Sequence, residues 1–128
     1  MKSLLFALAA LLFFAGCKKE PGEGGRAEIQ GIVYEQRYTG NFPVSTPYPL
    51  GDQRVYIIYG DGTYSDNDTH TDPNGKYHFP WLRKGAYKIY VRSECNAYQN
   101  CMEGIYANVE ISGKKDVVQV DTLFVKNY

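Results

Sequence analysis

Short stretches of alternating apolar and polar residues, separated by turn signals about every ten residues, constrain this chain more than any other feature. A period of two is typical of a β-strand that buries one face, and beyond the N-terminal residues no segment shows the period of an amphipathic helix. The chain has 12 tyrosines and 6 phenylalanines, and aromatic residues favour strands. The sequence therefore predicts an all-β fold.

We expect six or seven strands packed as a β-sandwich. The predicted strands span residues 27–36, 53–59, 76–81, 86–92, 105–111 and 116–125. In the most regular of them, Tyr87, Ile89 and Val91 point inward. Prolines and glycines in residues 37–52 predict a long loop or an irregular edge, and polar side chains in residues 63–71 predict a second loop.

The N-terminal residues carry an export pattern that is separate from the fold. Lys2 gives a positive start, and residues 4–14 form an unbroken apolar run. As a helix this run would be roughly 16 Å long, too short to span about 30 Å of hydrocarbon. We therefore predict that residues 1–16 are a removable signal peptide.

Residues 14–17, Phe-Ala-Gly-Cys, resemble the lipobox of bacterial lipoproteins, in which small residues precede the cysteine that begins the mature chain. The resemblance implies that Cys17 carries a lipid, because its thiolate is the nucleophile that takes the diacylglyceryl group. An ordinary signal peptide with a chance cysteine is the alternative. In such lipoproteins an Asp after the cysteine means inner-membrane retention; Lys18 stands there, which favours the outer membrane.

Residues 17–26 contain three glycines, one proline and no large apolar side chain, which predicts a flexible tether before one domain at residues 27–128. Lys2 is the only charged residue among the first sixteen, so 14 basic side chains become 13 against 14 acidic ones. This balance, with no basic block, argues against nucleic acid as a partner.

The segment Thr71–Ile89, Thr-Asp-Pro-Asn-Gly-Lys-Tyr-His-Phe-Pro-Trp-Leu-Arg-Lys-Gly-Ala-Tyr-Lys-Ile, resembles the hallmark of carboxypeptidase regulatory-like, transthyretin-like domains. That hallmark is a Thr-Asp turn with a glycine, alternate aromatic residues, a leucine, and Gly-x-Tyr before the next strand. The resemblance spans about residues 27–92. It implies a seven-stranded Greek-key β-sandwich.

This resemblance does not select a function, because relatives serve as accessory modules of peptidases and receptors, adhesin stalks and free-standing surface proteins. Hydrolases of the transthyretin-like family end in a Tyr-Arg-Gly-Ser type signature, whereas residues 123–128 here are Leu-Phe-Val-Lys-Asn-Tyr. Adhesin repeats with isopeptide bonds need a lysine in the first strand, and residues 27–36 contain none. Neither functional subtype is indicated.

Cys95 and Cys101 enclose five residues, and two cysteines in an exported chain predict a disulfide. The bridge would hold the loop between the strands at 86–92 and 105–111, with roughly 2 kcal/mol of loop entropy. A pair of free thiols is the alternative. The spacing fits neither a CxxC redox motif nor a zinc-type CxxC pair.

An acidic loop supplies oxygen atoms of the kind that bind Ca²⁺, from Asp61, Asp66, Asp68 and Asp72. An EF-hand read from Asp61 would need Gly at its sixth position and Glu at its twelfth, where this chain has aspartates. We therefore favour a solvated turn and predict no cofactor, with a calcium site as the alternative.

Four aromatic residues fall in the predicted loops, namely Tyr38, Phe42, Tyr48 and Tyr98. We favour the interpretation that they cap the open ends of the sandwich. Because aromatic side chains are enriched at recognition surfaces, the alternative is a binding face for glycan or protein built from residues 37–52 and 94–104.

No catalytic motif accompanies the two histidines, His70 and His78: Gly-x-Ser-x-Gly, HExxH and a Cys/His nucleophile pair are all absent. We therefore predict a non-enzymatic lipoprotein, anchored to the membrane by its N-terminal lipid. Its expected role is a structural or protein-interaction module of the cell envelope. Glycan or small-ligand binding in nutrient capture is the alternative.

Overall fold

The computed structural model describes residues 20–97 and 100–128, and these form ten β-strands and no helix. The strands are β1 Glu23–Thr39, β2 Phe42–Pro43, β3 Tyr48–Pro49, β4 Arg54–Tyr59, β5 Asn67–His70, β6 Lys76–Leu82, β7 Gly85–Glu94, β8 Met102–Ile111, β9 Val117–Gln119 and β10 Leu123–Asn127. None of the described segments is a helix long and apolar enough to cross a membrane. The predicted signal peptide, Cys17 and Tyr98 lie outside the described residues.

The strands form two sheets, which confirms the predicted all-β sandwich. One sheet has the order β5-β4-β7-β8 and is antiparallel throughout. The other is organised around β1, with which β6, β3 and β2 pair in antiparallel fashion along successive segments. β9 and β10 also pair with β1, in parallel. The first long strand is therefore bound to the last one.

The core lies between the two sheets and is built from the alternate residues of their strands. The predicted inward side chains of β7, Tyr87, Ile89 and Val91, are all buried. The sheet around β1 contributes Ala27, Ile29, Val33, Tyr77, Phe79, Leu82, Val120, Leu123 and Val125, and the other sheet adds Val55, Ile57, Val109 and Ile111.

The turn before β6 is fixed by hydrogen bonds from residues of the Thr-Asp segment. The Asp72 carboxylate accepts the backbone N–H groups of Asn74 and Lys76, each at 2.9 Å. Gly75 has φ +76°, a conformation that L side chains rarely adopt, and its N–H donates to the Asp72 carbonyl. The buried Thr71 hydroxyl donates to the Leu50 carbonyl at 2.6 Å. This turn therefore joins β6 to the chain before β4.

β1 is longer than the predicted strand at both ends. It begins at Glu23, so residues 23–26, which we expected in the tether, belong to the sandwich. The strand starts earlier because backbone hydrogen bonds join this segment to residues distant in sequence, which the alternation of apolar and polar residues does not reveal. The Arg83 N–H donates to the Gly22 carbonyl, and the Gly22 N–H donates to the buried Tyr87 hydroxyl at 2.8 Å.

The strand count exceeds six or seven because short strands lie outside the predicted strands, in the polar segment and in the segment predicted as a loop or an irregular edge. β5 lies within the polar residues 63–71, and β2 and β3 lie within residues 37–52. The single strand expected at 116–125 is divided into β9 and β10. β2, β3 and β5 have between two and four residues, too few to show a hydrophobic period.

Candidate functional site

Three tyrosines form a continuous column on the outer face of the sheet β5-β4-β7-β8. Tyr56 of β4 is paired with Tyr90 of β7, which is paired with Tyr106 of β8. Ring centroids are 4.8 Å apart between Tyr56 and Tyr90, with planes inclined by 12°, and 5.0 Å apart between Tyr90 and Tyr106. We call these three residues the tyrosine stack.

The strand alternation places the stack outside the core. Val55 and Ile57 are fully buried on either side of Tyr56, and Ile89 and Val91 are fully buried on either side of Tyr90. Because successive side chains point to opposite faces of a strand, the tyrosines between them must face solvent. Cross-strand aromatic pairs of this kind stabilise a sheet and hold the rings in fixed positions.

Tyr106 is the most accessible member of the stack, with 60% of its surface exposed. β8 is an edge strand, so one side of its ring is covered by Tyr90 while no further strand of this sheet lies beyond it. The Tyr106 ring also lies over Gly104, where a Cβ would overlap it. The glycine therefore lets the ring rest against the backbone of its own strand.

Charged side chains surround the stack on the same face. Lys88 and Arg92 are exposed on either side of Tyr90. The Arg54 Nε lies 3.8 Å from a carboxylate oxygen of Asp68 and 3.3 Å from the His70 Nε2. These pairs are exposed, so they orient the side chains more than they stabilise the fold.

A groove of about 500 Å³ continues from Tyr106 along the side of the sandwich, between β8 and the strands β9 and β10. We call it the edge groove. Phe124, which is 53% exposed, lines it together with Tyr106. The amide and carboxylate side chains in its lining are Asn108, Glu110, Gln119 and Asp121. The groove thus combines aromatic surface with planar hydrogen-bonding groups.

The aromatic residues that we predicted in loops lie elsewhere and do not join the stack. The Tyr38 ring packs 5.2 Å from that of Tyr128, beneath the Lys126 amine. The Tyr48 hydroxyl donates to Glu35, and this hydrogen bond raises the pKa of Tyr48 above its ordinary value. Phe42 is 76% exposed.

The predicted acidic loop is held by hydrogen bonds of its own. The Asp66 carboxylate accepts the Tyr59 N–H at 2.7 Å, Asp68 faces Arg54, and Asp72 binds the turn described above. Asp61 lies in the exposed turn after β4. Within residues 20–97 and 100–128, no three His, Cys, Asp or Glu side chains are grouped so that they could hold a metal ion.

The predicted disulfide between Cys95 and Cys101 is confirmed, with the two Cα atoms 5.3 Å apart. The Cys95 N–H also donates to the Cys101 carbonyl at 3.1 Å. The bridge therefore joins the end of β7 to the start of β8, the two strands that carry Tyr90 and Tyr106.

The tyrosine stack was not among the predicted sites, because the candidate aromatic residues were those of the predicted loops. The signal was present in the strands, since the alternation places Tyr56 and Tyr90 on outer faces. The register that aligns them with Tyr106 depends on strand pairing, which no single strand's pattern contains.

No protein-family model matches the chain, and no curated protein matches it. A solved structure that does match is that of a Pseudomonas aeruginosa protein named "putative carbohydrate binding protein". The two chains are 15% identical, the alignment covers 89% of this chain and 94% of the other, and the TM-score is 0.49. A likeness this distant transfers neither fold nor function.

Proposed function

We propose that this chain is a non-enzymatic, glycan-binding lipoprotein of the bacterial cell envelope. The observation that carries the proposal is the tyrosine stack, an ordered aromatic column on a solvent-facing sheet. Tyrosine combines an apolar ring with a polar hydroxyl, which suits a ligand that has one apolar side and one polar, hydrated side. A sugar ring is such a ligand, because its C–H bonds form an apolar face and its hydroxyls lie around the rim.

The edge groove supplies the polar half of this recognition. Asn108 and Gln119 offer amide donors and acceptors, and Glu110 and Asp121 offer acceptors. A small number of such groups beside aromatic surface is how binding sites fix a ligand's orientation. A glycan seated against Tyr106 would therefore place its hydroxyls along the groove.

The lipid anchor places this binding surface at the membrane. The lipobox-like residues 14–17 support lipidation of Cys17, and Lys18 after the cysteine supports the outer membrane. Two or three acyl chains would hold the protein stably, because each buried CH₂ contributes about 0.8 kcal/mol. The protein would then present glycans near the bilayer surface, as in nutrient capture.

We further propose that the sandwich is a transthyretin-like, carboxypeptidase regulatory-like Greek-key domain. The local conformation of the hallmark residues supports the proposal. Gly75 forms the turn with positive φ, Tyr77 and Phe79 are alternate buried residues of β6, and Gly85 precedes the buried Tyr87 in the opposite sheet.

A protein-interaction module is the second candidate function. Phe42 and Val44, at the far end of β1 from the domain's start, are 76% and 58% exposed. Two exposed apolar side chains this near in sequence are a candidate contact site for another protein. A partner bound there would leave the tyrosine stack free.

The test is a glycan array probed with the full chain in detergent, followed by titration of the glycans that bind. We expect Tyr106→Ala to weaken binding by roughly three- to tenfold, because an aromatic contact contributes about 0.5–1.5 kcal/mol. Phe42→Ala, which truncates an even more exposed aromatic residue away from the stack, is the matched control and should change nothing. Absence of any bound glycan, or equal losses in both variants, would contradict the proposal.

A further inference from the structure

A cavity of about 480 Å³ lies at the end of the sandwich where the chain enters the domain. Five cationic side chains line it, and they come from three separate segments of the chain: Arg26, Arg83, Lys84, Lys114 and Lys115. We call this group the cationic end. It lies apart from the tyrosine stack and from the edge groove, with which it shares no lining residue.

An irregularity of β1 builds one wall of this cavity. Glu23 and Ala27 both pair with Leu82, so residues 24–26 leave the regular ladder and bulge. The bulge brings Arg26 beside the turn between β6 and β7, which carries Arg83 and Lys84. The turn between β8 and β9 adds the two lysines. Bulges of this kind re-aim side chains at functional sites.

The cationic end holds its positive charges without a close ion pair among the described residues. None of the five cations forms a salt bridge within residues 20–97 and 100–128. The Arg83 Nε is buried and has no hydrogen-bond partner among the described residues. Acidic side chains at the same end are engaged elsewhere: Asp116 accepts the Gly113 N–H at 2.8 Å, and Glu23 accepts the Asn67 amide at 3.1 Å.

An exposed tryptophan lies next to the cationic end. Trp81 is the chain's one tryptophan, is 68% exposed, and precedes Leu82 of the cavity lining. Its φ of +59° is rare for a bulky residue and costs about 1–3 kcal/mol in general, a cost that clusters at functional positions. Tryptophan beside lysine and arginine is typical of the membrane–water interface.

We infer that the cationic end binds the phosphate groups of anionic phospholipids in the membrane that carries the chain's anchor, with Trp81 inserted between headgroups. The inference rests on the proposed lipidation of Cys17. Pro21, whose ring lies against Gly85 beside Lys84, is four residues from Cys17. Four residues span at most about 14 Å, so a lipid on Cys17 brings this end to the headgroups.

This contact would orient the whole domain. The disulfide between β7 and β8 and the exposed Phe42 lie at the opposite end of their strands, so they would face away from the bilayer. The tyrosine stack, in the middle of β4, β7 and β8, would stand beside the membrane with its face open.

The experiment uses residues 17–128 with Cys17→Ser, exported behind an unrelated cleavable signal peptide so that the disulfide forms without lipidation. Every core residue lies between Ala27 and Val125, so this chain keeps the complete sandwich. Its binding to vesicles of phosphatidylcholine, with and without phosphatidylglycerol, is followed by co-sedimentation and by Trp81 emission. Because the chain carries 13 basic and 14 acidic side chains, net charge alone would repel it from anionic vesicles.

We expect binding to the phosphatidylglycerol vesicles, with a blue shift of Trp81 emission, and none to phosphatidylcholine alone. Each cation strengthens binding to the vesicles by roughly a factor of five. The triple variant K84Q/K114Q/K115Q should therefore need on the order of 100-fold more lipid for half-maximal binding. The control R37Q/K76Q/K126Q removes three exposed cations elsewhere and should bind like the parent chain.

Three results would overturn the inference: equal binding to both kinds of vesicle, equal losses in the two triple variants, or an equal Trp81 response to inorganic phosphate without vesicles. None of them depends on lipidation, which this chain lacks. A failure of the anchor proposal, seen as an unmodified Cys17 in the full chain, is therefore distinguishable from a failure here.

Discussion

At the scale of single residues, Tyr77 is a buried polar group that the fold leaves unsatisfied. Its side chain is 3% exposed, and its hydroxyl has no hydrogen-bond partner among the described residues. The oxygen lies over Gly31, where a Cβ would overlap it. Tyr87 is equally buried, yet its hydroxyl donates to the Arg83 carbonyl at 2.6 Å and accepts the Gly22 N–H. Two tyrosines that are buried alike therefore differ in what their hydroxyls do.

Tyr77→Phe is expected to stabilise the protein. The substitution removes a buried hydroxyl that lacks a partner, so the free energy of unfolding should rise by about 1 kcal/mol in chemical denaturation. Tyr87→Phe is the matched control and should lower it by about 1 kcal/mol, because the Gly22 N–H loses its acceptor. Equal destabilisation by both substitutions would contradict this account of Tyr77.

The same residue governs stability at alkaline pH. Burial raises the pKa of Tyr77 above its ordinary value of about 10, so the unfolded chain loses this proton at lower pH than the folded one. The free energy of unfolding is therefore unaffected by this titration below a pH of about 10, and it falls as the pH rises further because the unfolded chain releases the Tyr77 proton first. In thermal melts above that pH, Tyr77→Phe should make the melting temperature fall less steeply with pH. An unchanged slope of melting temperature against pH would contradict this account of Tyr77.

At the scale of strands, β7 was predictable because its inner face is uninterrupted and buried. β5 was not, because Asn67, Asp68 and His70 are polar and exposed, and only their pairing with β4 makes them a strand. The early start of β1 has the same cause. A strand that forms only because it pairs with a neighbour need not show apolar–polar alternation in its own sequence.

The disulfide contributes at this scale by closing the loop between β7 and β8. We expect Cys95→Ser with Cys101→Ser to lower the free energy of unfolding by roughly 2 kcal/mol, from the entropy of the opened loop. Hydrogen exchange should increase at residues 92–94 and 102–104 and stay unchanged in β6, the internal control. Exchange that rises equally in both regions would show that the bridge supports the whole fold instead.

At the scale of the whole molecule, the candidate site was out of reach of sequence because its members come from three strands. Tyr56, Tyr90 and Tyr106 are separated by 34 and 16 residues, and only the sheet register brings them together. The export pattern, by contrast, is contiguous. It rests on residues 1–17 alone and stays a prediction.

The anchor prediction concerns the whole molecule because it decides where the protein resides. In cells that express the full chain, we expect the protein in the membrane fraction, with an intact mass that shows acylation and the loss of residues 1–16. Cys17→Ser should abolish both the acylation and the loss of residues 1–16. Phe14→Leu brings the lipobox closer to its usual form and should preserve the acylation and the cleavage. A wild-type chain of unmodified mass would contradict the prediction.

The parallel pairing of β1 with β10 has a consequence for the order of events in biosynthesis. Val33 is bound opposite Leu123, so a strand made among the first must wait for one made among the last. A chain that emerges N-terminus first, from a ribosome or an export channel, therefore cannot close its sandwich until nearly all of it has appeared. The topology therefore delays completion of the sandwich until the last strand is available.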